Sequence, residues 1–264
     1  MKHGFVGLGN MGLAIIKGMI DSRNYPPGDI LAYDPYSAAG RAAVAAMGVE
    51  VCPSLAAVAA ADILLLAVKP QVMPSVLKDL RASDLSKKLI ISIAAGRSLT
   101  FLQEGLGHGA AIIRVMPNIN AKVGAAISAF AATSHCGEAH KDAVRALFAT
   151  VGTIVELAEE HFSIFTAVAG SSPAFSYMYI DALARAAVRG GIPKAKALEI
   201  AASAVYGSAK MILEGNEHPF ALVDQVCSPG GTTIEGVCRL QECGFESAVH
   251  KAVAAVALKD AQLA

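Results

Sequence analysis

The chain has 264 residues, and its formal net charge is zero because 22 basic residues balance 22 acidic ones. This length predicts two domains, or one domain with a large annex. The neutral balance gives no electrostatic footprint for nucleic acid or anionic lipid, so a small-molecule ligand is expected. Hydrophobic residues make up 54% of the chain, but residues such as Asp62, Lys69 and Arg114 interrupt its apolar stretches, which excludes a membrane-spanning helix.

The N-terminal residues predict a strand, a glycine loop and a helix. An apolar strand is expected at His3–Val6, and apolar residues at helical spacing continue over Leu13–Ile20. In a dinucleotide-binding loop of this spacing the first glycine permits a tight turn, the second lets the backbone approach the pyrophosphate, and the third lets helix pack on strand. We therefore predict a nicotinamide dinucleotide, NADH or NADPH, with its phosphates at the helix N-terminus. The loop consists of Gly7, Leu8, Gly9, Asn10, Met11 and Gly12.

A second strand is predicted at Ile30–Tyr33, and Asp34 stands at its tip, 22 residues after the last glycine of the loop. An acidic side chain at this position accepts hydrogen bonds from the adenosine ribose and would repel a 2′-phosphate, so Asp34 favours NADH. Two alternatives stay open. The nearby Tyr36, Ser37 and Arg41 could hold a 2′-phosphate, and an Asp-Pro pair is also a plain turn signal.

Strands and helices continue to alternate up to about residue 160, and Ser54 is predicted to cap a short helix. Further helices are predicted at Ala38–Met47, Met73–Leu80 and Leu99–Leu106. Further strands are predicted at Val49–Cys52, Ile63–Val68, Leu89–Ile93 and Ala111–Val115, with two more near Ala125–Ala131 and Thr153–Leu157. The alternation predicts a doubly wound, Rossmann-type parallel sheet in residues 1–160.

From Phe162 onward the pattern is helical throughout, so we predict an all-α domain in residues 161–264. The predicted helices are Phe162–Gly170, Ala174–Arg189, Lys194–Glu214, Pro219–Val226, Thr233–Gln241 and Glu246 to the end. The surplus of apolar residues is best explained by burial between subunits. We therefore expect a homodimer or higher homo-oligomer that associates through this domain.

Cysteine and histidine usage predicts neither a metal site nor a disulfide framework. The five cysteines are scattered without a CxxC pair, and the seven histidines form no ligand cluster. The N-terminus has no signal-peptide pattern, because the glycine loop falls where an apolar region would have to be. We expect a cytoplasmic protein.

The second informative segment, Ser228-Pro229-Gly230-Gly231-Thr232-Thr233, predicts an irregular loop before a helix. Consecutive backbone N–H groups in such a loop, together with the helix N-terminus, can hold a carboxylate, and the threonine hydroxyls add donors. On the residues alone, an ordinary helix cap is an equal alternative. Lys69, after the strand at Ile63–Val68, is by itself a solvated loop residue.

Taken together, five segments resemble the pyrroline-5-carboxylate reductase family, in family order and over nearly the whole chain. The most specific is the last one. The resemblance implies reduction of the ring C=N bond of 1-pyrroline-5-carboxylate to L-proline by NADH or NADPH, the last step of proline biosynthesis. The segments are Gly7–Gly12, Val68–Gln71, Arg114–Asn118, Gly170–Ala174 and Ser228–Thr233.

The resemblance also implies roles for particular residues. Asp34 and Ser54 would lie near the adenosine ribose, although the family often has serine, asparagine or arginine at the position of Asp34, which suits NADPH. Thr233 would hydrogen-bond the ring nitrogen as the catalytic side chain; because its hydroxyl is too weak an acid to protonate an imine, the proton arrives with the substrate or from water. The coenzyme would be lined by Gly7 to Met11, by Ala67, Val68, Lys69 and Pro70, and by Ala95; the substrate would be held by Ser228, Gly230, Gly231, Thr232 and Thr233.

Two other functions are compatible with part of the sequence. A 3-hydroxyacid dehydrogenase of the β-hydroxyacid type shares the glycine loop and a helical second domain. However, Lys194, Lys196 and Lys210 lack the glycine-rich lead and the following asparagine of its catalytic lysine motif. A non-catalytic dinucleotide sensor would have no use for the loop Ser228–Thr233.

Overall fold

The structure is a computed structural model that describes residues 1–262, and it divides the chain into two units. The first unit contains Met1–Gly170 together with residues from Val256 onward, and the second contains Ser171–Ala255. The first unit holds one sheet with helices on both faces, whereas the second is built from helices. The predicted α/β fold with an all-α second part is confirmed.

Eight strands form the sheet. They are β1 (His3–Val6), β2 (Ile30–Tyr33), β3 (Glu50–Val51), β4 (Ile63–Leu66), β5 (Leu89–Ser92), β6 (Ala111–Met116), β7 (Ala126–Ala132) and β8 (Gly152–Glu156). Their spatial order is β3-β2-β1-β4-β5-β6-β7-β8, and β1 to β6 are parallel. The order reverses between β1 and β4, which creates the switch point where doubly wound sheets bind ligands, outside the carboxyl ends of the strands.

Two hydrophobic cores lie on the two faces of this sheet. Phe5 belongs to the core that contains Ile15 and Phe148, whereas the next residue, Val6, belongs to the core that contains Leu77 and Leu102. Because both faces are buried, the central strands are continuous apolar runs, which is why the sequence predicts them well. The helices of this unit that precede residue 150 are α1 (Asn10–Asp21), α2 (Ala38–Ala46), α3 (Leu55–Val58), α4 (Met73–Leu80), α5 (Leu99–Leu106) and α6 (Glu138–Phe148).

The last two strands depart from the predicted parallel sheet. β7 is antiparallel to β6, and β8 is parallel to β7, so both run against the first six strands. The reason is the connection: β6 is followed by a short 3-10 helix, Ile119–Val123, and a parallel neighbour needs a crossover of about a dozen residues or more. Between β7 and β8 the crossover helix α6 is present, and that pair is parallel.

Sequence reasoning missed α6. The signal was present, because Val144, Leu147 and Phe148 have helical spacing and are all buried. Two basic side chains of this helix, Lys141 and Arg145, reach Glu156 of β8 at 2.6 and 2.9 Å. The helix is thereby fastened to the edge strand of the sheet.

The helices that follow are α7 (Phe162–Phe165), α8 (Ser172–Arg189), α9 (Lys194–Glu214), α10 (Pro219–Val226), α11 (Thr232–Glu242) and α12 (Phe245–Ala261). The predicted helix Phe162–Gly170 is wrong in its second half, since the chain continues after α7 as a π-helix, Thr166–Ser171. The Thr166 hydroxyl donates to the Phe162 carbonyl at 2.8 Å and competes there with the backbone N–H, which disturbs an α-helix. In the second unit α8 and α9 pack around the small side chains of Ala184, Ala197 and Ala201.

His3 makes the stability of the first unit dependent on pH. Its side chain is buried in β1, its ring packs edge-on against Tyr25, and its Nδ1 has no hydrogen-bond partner among residues 1–262. Burial, aided by the N-terminal ammonium group, lowers the pKa of His3 below 6.5, and the opposing carboxylates of Asp29 and Asp62 do not reverse this.

Because the folded pKa is depressed, the unfolded chain binds the proton first as the pH falls below the ordinary value of 6.5. We therefore expect the free energy of unfolding to decrease between about pH 7.5 and about pH 5.5, and His3→Phe to make this decrease shallower. Urea denaturation of both proteins across this range measures the difference in slope. Parallel curves for the two proteins would contradict the prediction.

Candidate active site

Five loops with predicted ligand-binding residues lie at one edge of the sheet. The glycine loop follows β1, Asp34 follows β2, Ser54 follows β3, Lys69 follows β4 and Ala95 follows β5. Since these strands are parallel, their carboxyl ends share one edge, and the switch point between β1 and β4 lies within it. The structure thus brings together segments that are far apart in the sequence.

The glycine loop contains two glycines that the fold requires and one that it does not. Gly7 has a φ of +100°, and a Cβ there would lie 2.7 Å from the Ala67 backbone. A Cβ at Gly12 would lie 2.7 Å from the Gly7 carbonyl oxygen. By contrast Gly9, which caps α1, has extended backbone angles, and apart from its chain neighbours no described residue has an atom within 4 Å of a Cβ placed there. Open space therefore lies beside Gly9 in front of the helix N-terminus, and the N–H groups of a helix N-terminus favour an anion.

Asp34 organises the turn beside this loop. Its Oδ1 accepts the N–H groups of Tyr36 and Ser37 at 2.9 and 3.0 Å, and its Oδ2 accepts the Leu8 N–H at 2.8 Å. Arg41 donates to the main-chain carbonyl of Asp34 at 2.6 Å. Asp34 therefore stabilises the turn that the Asp-Pro pair indicates in the sequence. Through the Leu8 N–H, its carboxylate also connects the end of the second strand to the glycine loop.

Ser54 and Lys69 have the local structures that the sequence predicts. The Ser54 hydroxyl oxygen caps α3 by accepting the Ala57 N–H at 3.2 Å, and its side chain is exposed. Lys69 is exposed in the loop after β4. Pro70, next to it, is half-buried and has a contact that the sequence did not reveal: its carbonyl accepts two hydrogen bonds from Arg97.

An ion pair between a buried arginine and a half-buried glutamate was also missed. Arg114 of β6 lies 2.7 Å from Glu159 and stacks over the ring of Phe162, 4.6 Å from its centroid. Glu159 in addition accepts the Leu99 N–H at the start of α5, at 2.8 Å. A charged residue within an otherwise apolar strand was the available signal, because such residues are rarely buried without a partner.

Asn118, which follows β6, is 4% exposed and donates to the Ala169 carbonyl at 3.0 Å. Pro173, four residues after Ala169, has no N–H to offer to that carbonyl, and the Asn118 side chain supplies a donor instead. In the sequence, the segment Arg114–Asn118 has significance only through the family resemblance. Its two polar members fasten β6 to the segment that leads into α8.

The second predicted site, the loop before α11, lies in the second unit. The Gly231 N–H donates to the Ser228 carbonyl at 2.9 Å, and Gly230 has a φ of +66°, which with Pro229 before it gives a type II turn. The helix begins at Thr232, one residue earlier than predicted. The N–H groups of Thr232 and Thr233 are therefore in its first turn, where no intrahelical acceptor exists.

This geometry changes the expected set of donors. The Gly231 N–H is used within the turn, so it is not available to a carboxylate. A Cβ at Gly231 would also collide with the Ser228 hydroxyl, which explains the absence of a side chain there. The side chains of Ser228, Thr232 and Thr233 are exposed.

Metal binding and thiol chemistry find little support in residues 1–262. Within that range no three histidine, cysteine or acidic side chains are grouped so that they could hold a metal ion. Burial raises the pKa of the Cys52 and Cys136 thiols, so both stay protonated and unreactive.

None of the described helices has the combination of length and hydropathy that crossing a membrane requires.

A doubly wound sheet with an open glycine loop at its switch point is typical of a dinucleotide-binding protein. Two family models agree with this class: "NADP oxidoreductase coenzyme F420-dependent" matches residues 2–96, and "Pyrroline-5-carboxylate reductase dimerisation" matches residues 159–263. The chain is 44% identical to the pyrroline-5-carboxylate reductase of Escherichia coli K12 over 253 residues, 96% of this chain and 94% of the relative. It is 40% identical to that of Synechocystis over 264 residues, 100% of this chain and 98% of the relative. The chain belongs to the pyrroline-5-carboxylate reductase family.

Solved structures give the same result. The pyrroline carboxylate reductase of Plasmodium falciparum with NADP bound has a TM-score of 0.89 at 30% identity, covering 100% of this chain and 98% of that one. A pyrroline-5-carboxylate reductase from Coxiella burnetii has a TM-score of 0.93 at 28% identity, with the same coverage. The family predicted from the five sequence segments is confirmed.

Proposed function

We propose that this protein reduces the ring C=N bond of 1-pyrroline-5-carboxylate to give L-proline, with NADH or NADPH as the reductant. The observation that carries the proposal is the 40% identity to a relative named pyrroline-5-carboxylate reductase. The aligned region is the whole chain, so it covers both the glycine loop and the loop before α11. The reaction is the last step of proline biosynthesis. The 3-hydroxyacid dehydrogenase and the sensor lose support, because neither accounts for this full-length similarity.

The carboxyl edge of the first unit is where we place the coenzyme. The first N–H groups of α1 hold its pyrophosphate in front of Gly9, where a side chain is absent although the fold leaves space for one. Asp34 and Ser54 lie after β2 and β3, on the adenosine side of the loop, and Ala67 to Pro70 and Ala95 lie after β4 and β5, on the nicotinamide side. Bound there, the coenzyme supplies the hydride that reduces the imine carbon.

The loop before α11 is where we place the substrate. The N–H groups of Thr232 and Thr233 at the helix N-terminus hold its carboxylate, with the hydroxyls of Ser228 and Thr232 as further donors. The Thr233 hydroxyl hydrogen-bonds the ring nitrogen. One proton must reach this nitrogen when the carbon is reduced, and it comes with the substrate as an iminium ion or from water through the hydroxyl.

An assay with purified protein, 1-pyrroline-5-carboxylate and either coenzyme tests the function through loss of the nicotinamide absorbance. We expect oxidation of NADH or NADPH that depends on the imine. Tight coenzyme binding without turnover would support the sensor and overturn the proposal. Turnover with a 3-hydroxyacid but not with the imine would support the dehydrogenase instead.

Coenzyme preference is proposed from Asp34. Its carboxylate, placed beside the adenosine ribose, favours NADH, although a relative of known structure binds NADP. We expect Asp34→Ser to raise the ratio of kcat/KM with NADPH to that with NADH by roughly tenfold, because a negative charge near the 2′-phosphate is removed. The variant should also be less stable, since one hydroxyl cannot accept the three N–H groups that Asp34 accepts.

A matched control for this substitution is Asp62→Ser. Asp62 also accepts a backbone N–H, from Lys2 at 2.8 Å, but it precedes β4 and so lies at the opposite edge of the sheet. Using the ratio of the two coenzymes cancels any loss of folded enzyme. If the ratio did not rise in Asp34→Ser, the charge argument would be wrong.

The second unit is proposed to form the contact of a homodimer or a higher homo-oligomer. Its large apolar side chains are exposed in the single chain, among them Met178, Tyr206 and Leu213 at 73%, 70% and 85%. The match of residues 159–263 to a dimerisation model supports this contact. The start of that match also supports the predicted domain junction near residue 160, whereas the two compact units of the structure separate after Gly170. Sedimentation that finds only monomers would contradict the contact.

The cytoplasmic location of the protein stays a prediction.

A further inference from the structure

Arg97 joins two of the loops at the carboxyl edge of the sheet. Its Nε and Nη2 donate to the Pro70 carbonyl at 3.1 and 2.9 Å, and its guanidinium stacks over Phe101, 4.7 Å from the ring centroid. Pro70 lies in the loop between β4 and α4, and Arg97 lies in the loop between β5 and α5. A single side chain therefore fixes the spacing between these two loops.

The loop that carries Arg97 is held firmly at the start of α5. The Ser98 hydroxyl accepts the Phe101 N–H at 3.1 Å, and Glu159 accepts the Leu99 N–H at 2.8 Å. Glu159 is itself paired with the buried Arg114 at 2.7 Å. Arg97 thus reaches Pro70 from an anchored position.

On its other side, the loop that carries Pro70 is packed against the glycine loop. The Ala67 N–H donates to the Val6 carbonyl at 2.7 Å, and the Ala67 backbone fills the space beside Gly7. A turn follows, closed by the Val72 N–H on the Lys69 carbonyl at 2.9 Å. Pro70 lies within that turn, so its carbonyl is the point at which Arg97 can hold the turn in place.

We infer that Arg97 is a positioning residue for the coenzyme, which holds the Lys69–Pro70 turn at a fixed distance from the loop of Ala95. The inference rests on the proposed placement of the coenzyme at this edge. With the pyrophosphate at β1 and the adenosine ribose at β2, the nicotinamide end extends toward β4 and β5. The nicotinamide then lies between the loop after β4 and the loop after β5, which Arg97 joins. Loss of Arg97 leaves the turn free to move and weakens coenzyme binding without touching the substrate loop.

The same pair of helices offers a matched control. Arg81, after the end of α4, donates through Nε and Nη2 to the carbonyls of Gly105 and Glu104 at the end of α5. The two arginines therefore connect the same two segments at opposite ends, Arg97 through one carbonyl before the helices begin and Arg81 through two carbonyls where α5 ends. Arg81 lies at the end remote from the coenzyme loops, so it reports the effect of loosening the helix pair alone.

The experiment measures the coenzyme Kd of the enzyme by titration of nicotinamide fluorescence, together with Tm and steady-state kinetics. For Arg97→Met we expect the Kd and the KM of the coenzyme to rise about tenfold, with the KM of the imine and kcat within about twofold of wild type. Arg97→Lys, which keeps one charged donor, should recover part of the affinity. Arg81→Met should lower Tm but leave the Kd unchanged.

An unchanged Kd in Arg97→Met, or an equal loss of affinity in Arg81→Met, would overturn the inference. The proposed coenzyme site is tested separately by Gly9→Val, whose side chain would fill the pyrophosphate position. If Gly9→Val bound coenzyme as wild type does, the placement itself would be wrong, and the inference would fail with it. If Gly9→Val lost binding while Arg97→Met did not, only the inference about Arg97 would fail.

Discussion

Gly9→Val is expected to weaken coenzyme binding by at least about 100-fold while the unliganded enzyme stays folded. The backbone of Gly9, with φ −76° and ψ −176°, is extended, and any residue can adopt it. No described residue beyond its chain neighbours lies within 4 Å of the added Cβ, so the valine side chain meets only the space proposed for the pyrophosphate. Isothermal titration with NADH and NADPH, beside a thermal melt, measures both halves of the prediction.

The control for this prediction is Gly137→Val. Gly137 is also the N-cap of a helix, α6, with φ −80° and ψ 174°, and the described residues outside its chain neighbours leave the same open space. Because β7 runs against β1 to β6, this helix begins at the opposite edge of the sheet. Both variants lose a good capping residue to a poor one, which costs about 1 kcal/mol of stability in each. Equal affinities in the two variants would count against the coenzyme site.

Gly7→Ala would be a poor substitute for this test. The positive φ of Gly7 and its contact with the Ala67 backbone mean that a side chain disturbs the fold directly. A loss of binding in that variant would not distinguish a blocked site from a damaged one.

Thr233→Val is expected to lower kcat/KM for the imine by roughly 30- to 150-fold, about 2 to 3 kcal/mol, with the coenzyme Kd unchanged. Valine keeps the shape of threonine and removes only the hydroxyl that we place on the ring nitrogen. Thr233 is exposed in the first turn of α11, so little packing is lost, and the N–H groups proposed for the carboxylate remain. Steady-state kinetics with varied imine, at saturating coenzyme, gives the number.

The chain contains a close control for this substitution as well. Thr100 is the second residue of α5, as Thr233 is of α11, and both are exposed. Thr100→Val should therefore leave the kinetics as they are, and Thr233→Ser, which retains a hydroxyl, should keep most of the activity. Wild-type kinetics in Thr233→Val would remove this side chain from the mechanism.

Most of the sheet could be predicted from the sequence, because strands buried on both faces are short continuous apolar runs between turn signals. Ile63–Leu66 is such a run, and the glycine loop before α1 marks the first crossover. The direction of β7 could not be read in this way. An apolar run has the same pattern in either direction, and only the short connection after β6 decides it.

The candidate site could be predicted where a residue acts through its own backbone, as Gly7 and Gly12 do. Contacts between distant segments were not accessible: Arg114 and Glu159 are 45 residues apart, and Arg97 meets Pro70 across 27 residues. The three N–H partners of Asp34 are likewise set by the fold of the turn. The sequence predicts the candidate loops, whereas the contacts that hold them are visible only in the structure.

The brevity of β3 has a consequence for how copies of this protein meet. A two-residue strand at the border of the sheet presents few unpaired N–H and C=O groups, too few to template the strand of a neighbouring molecule. Runaway growth of the sheet from one molecule to the next is therefore blocked on that side. The contact that we propose through the apolar helices of the second unit differs from such growth, because its surface can close on a second copy and then stop.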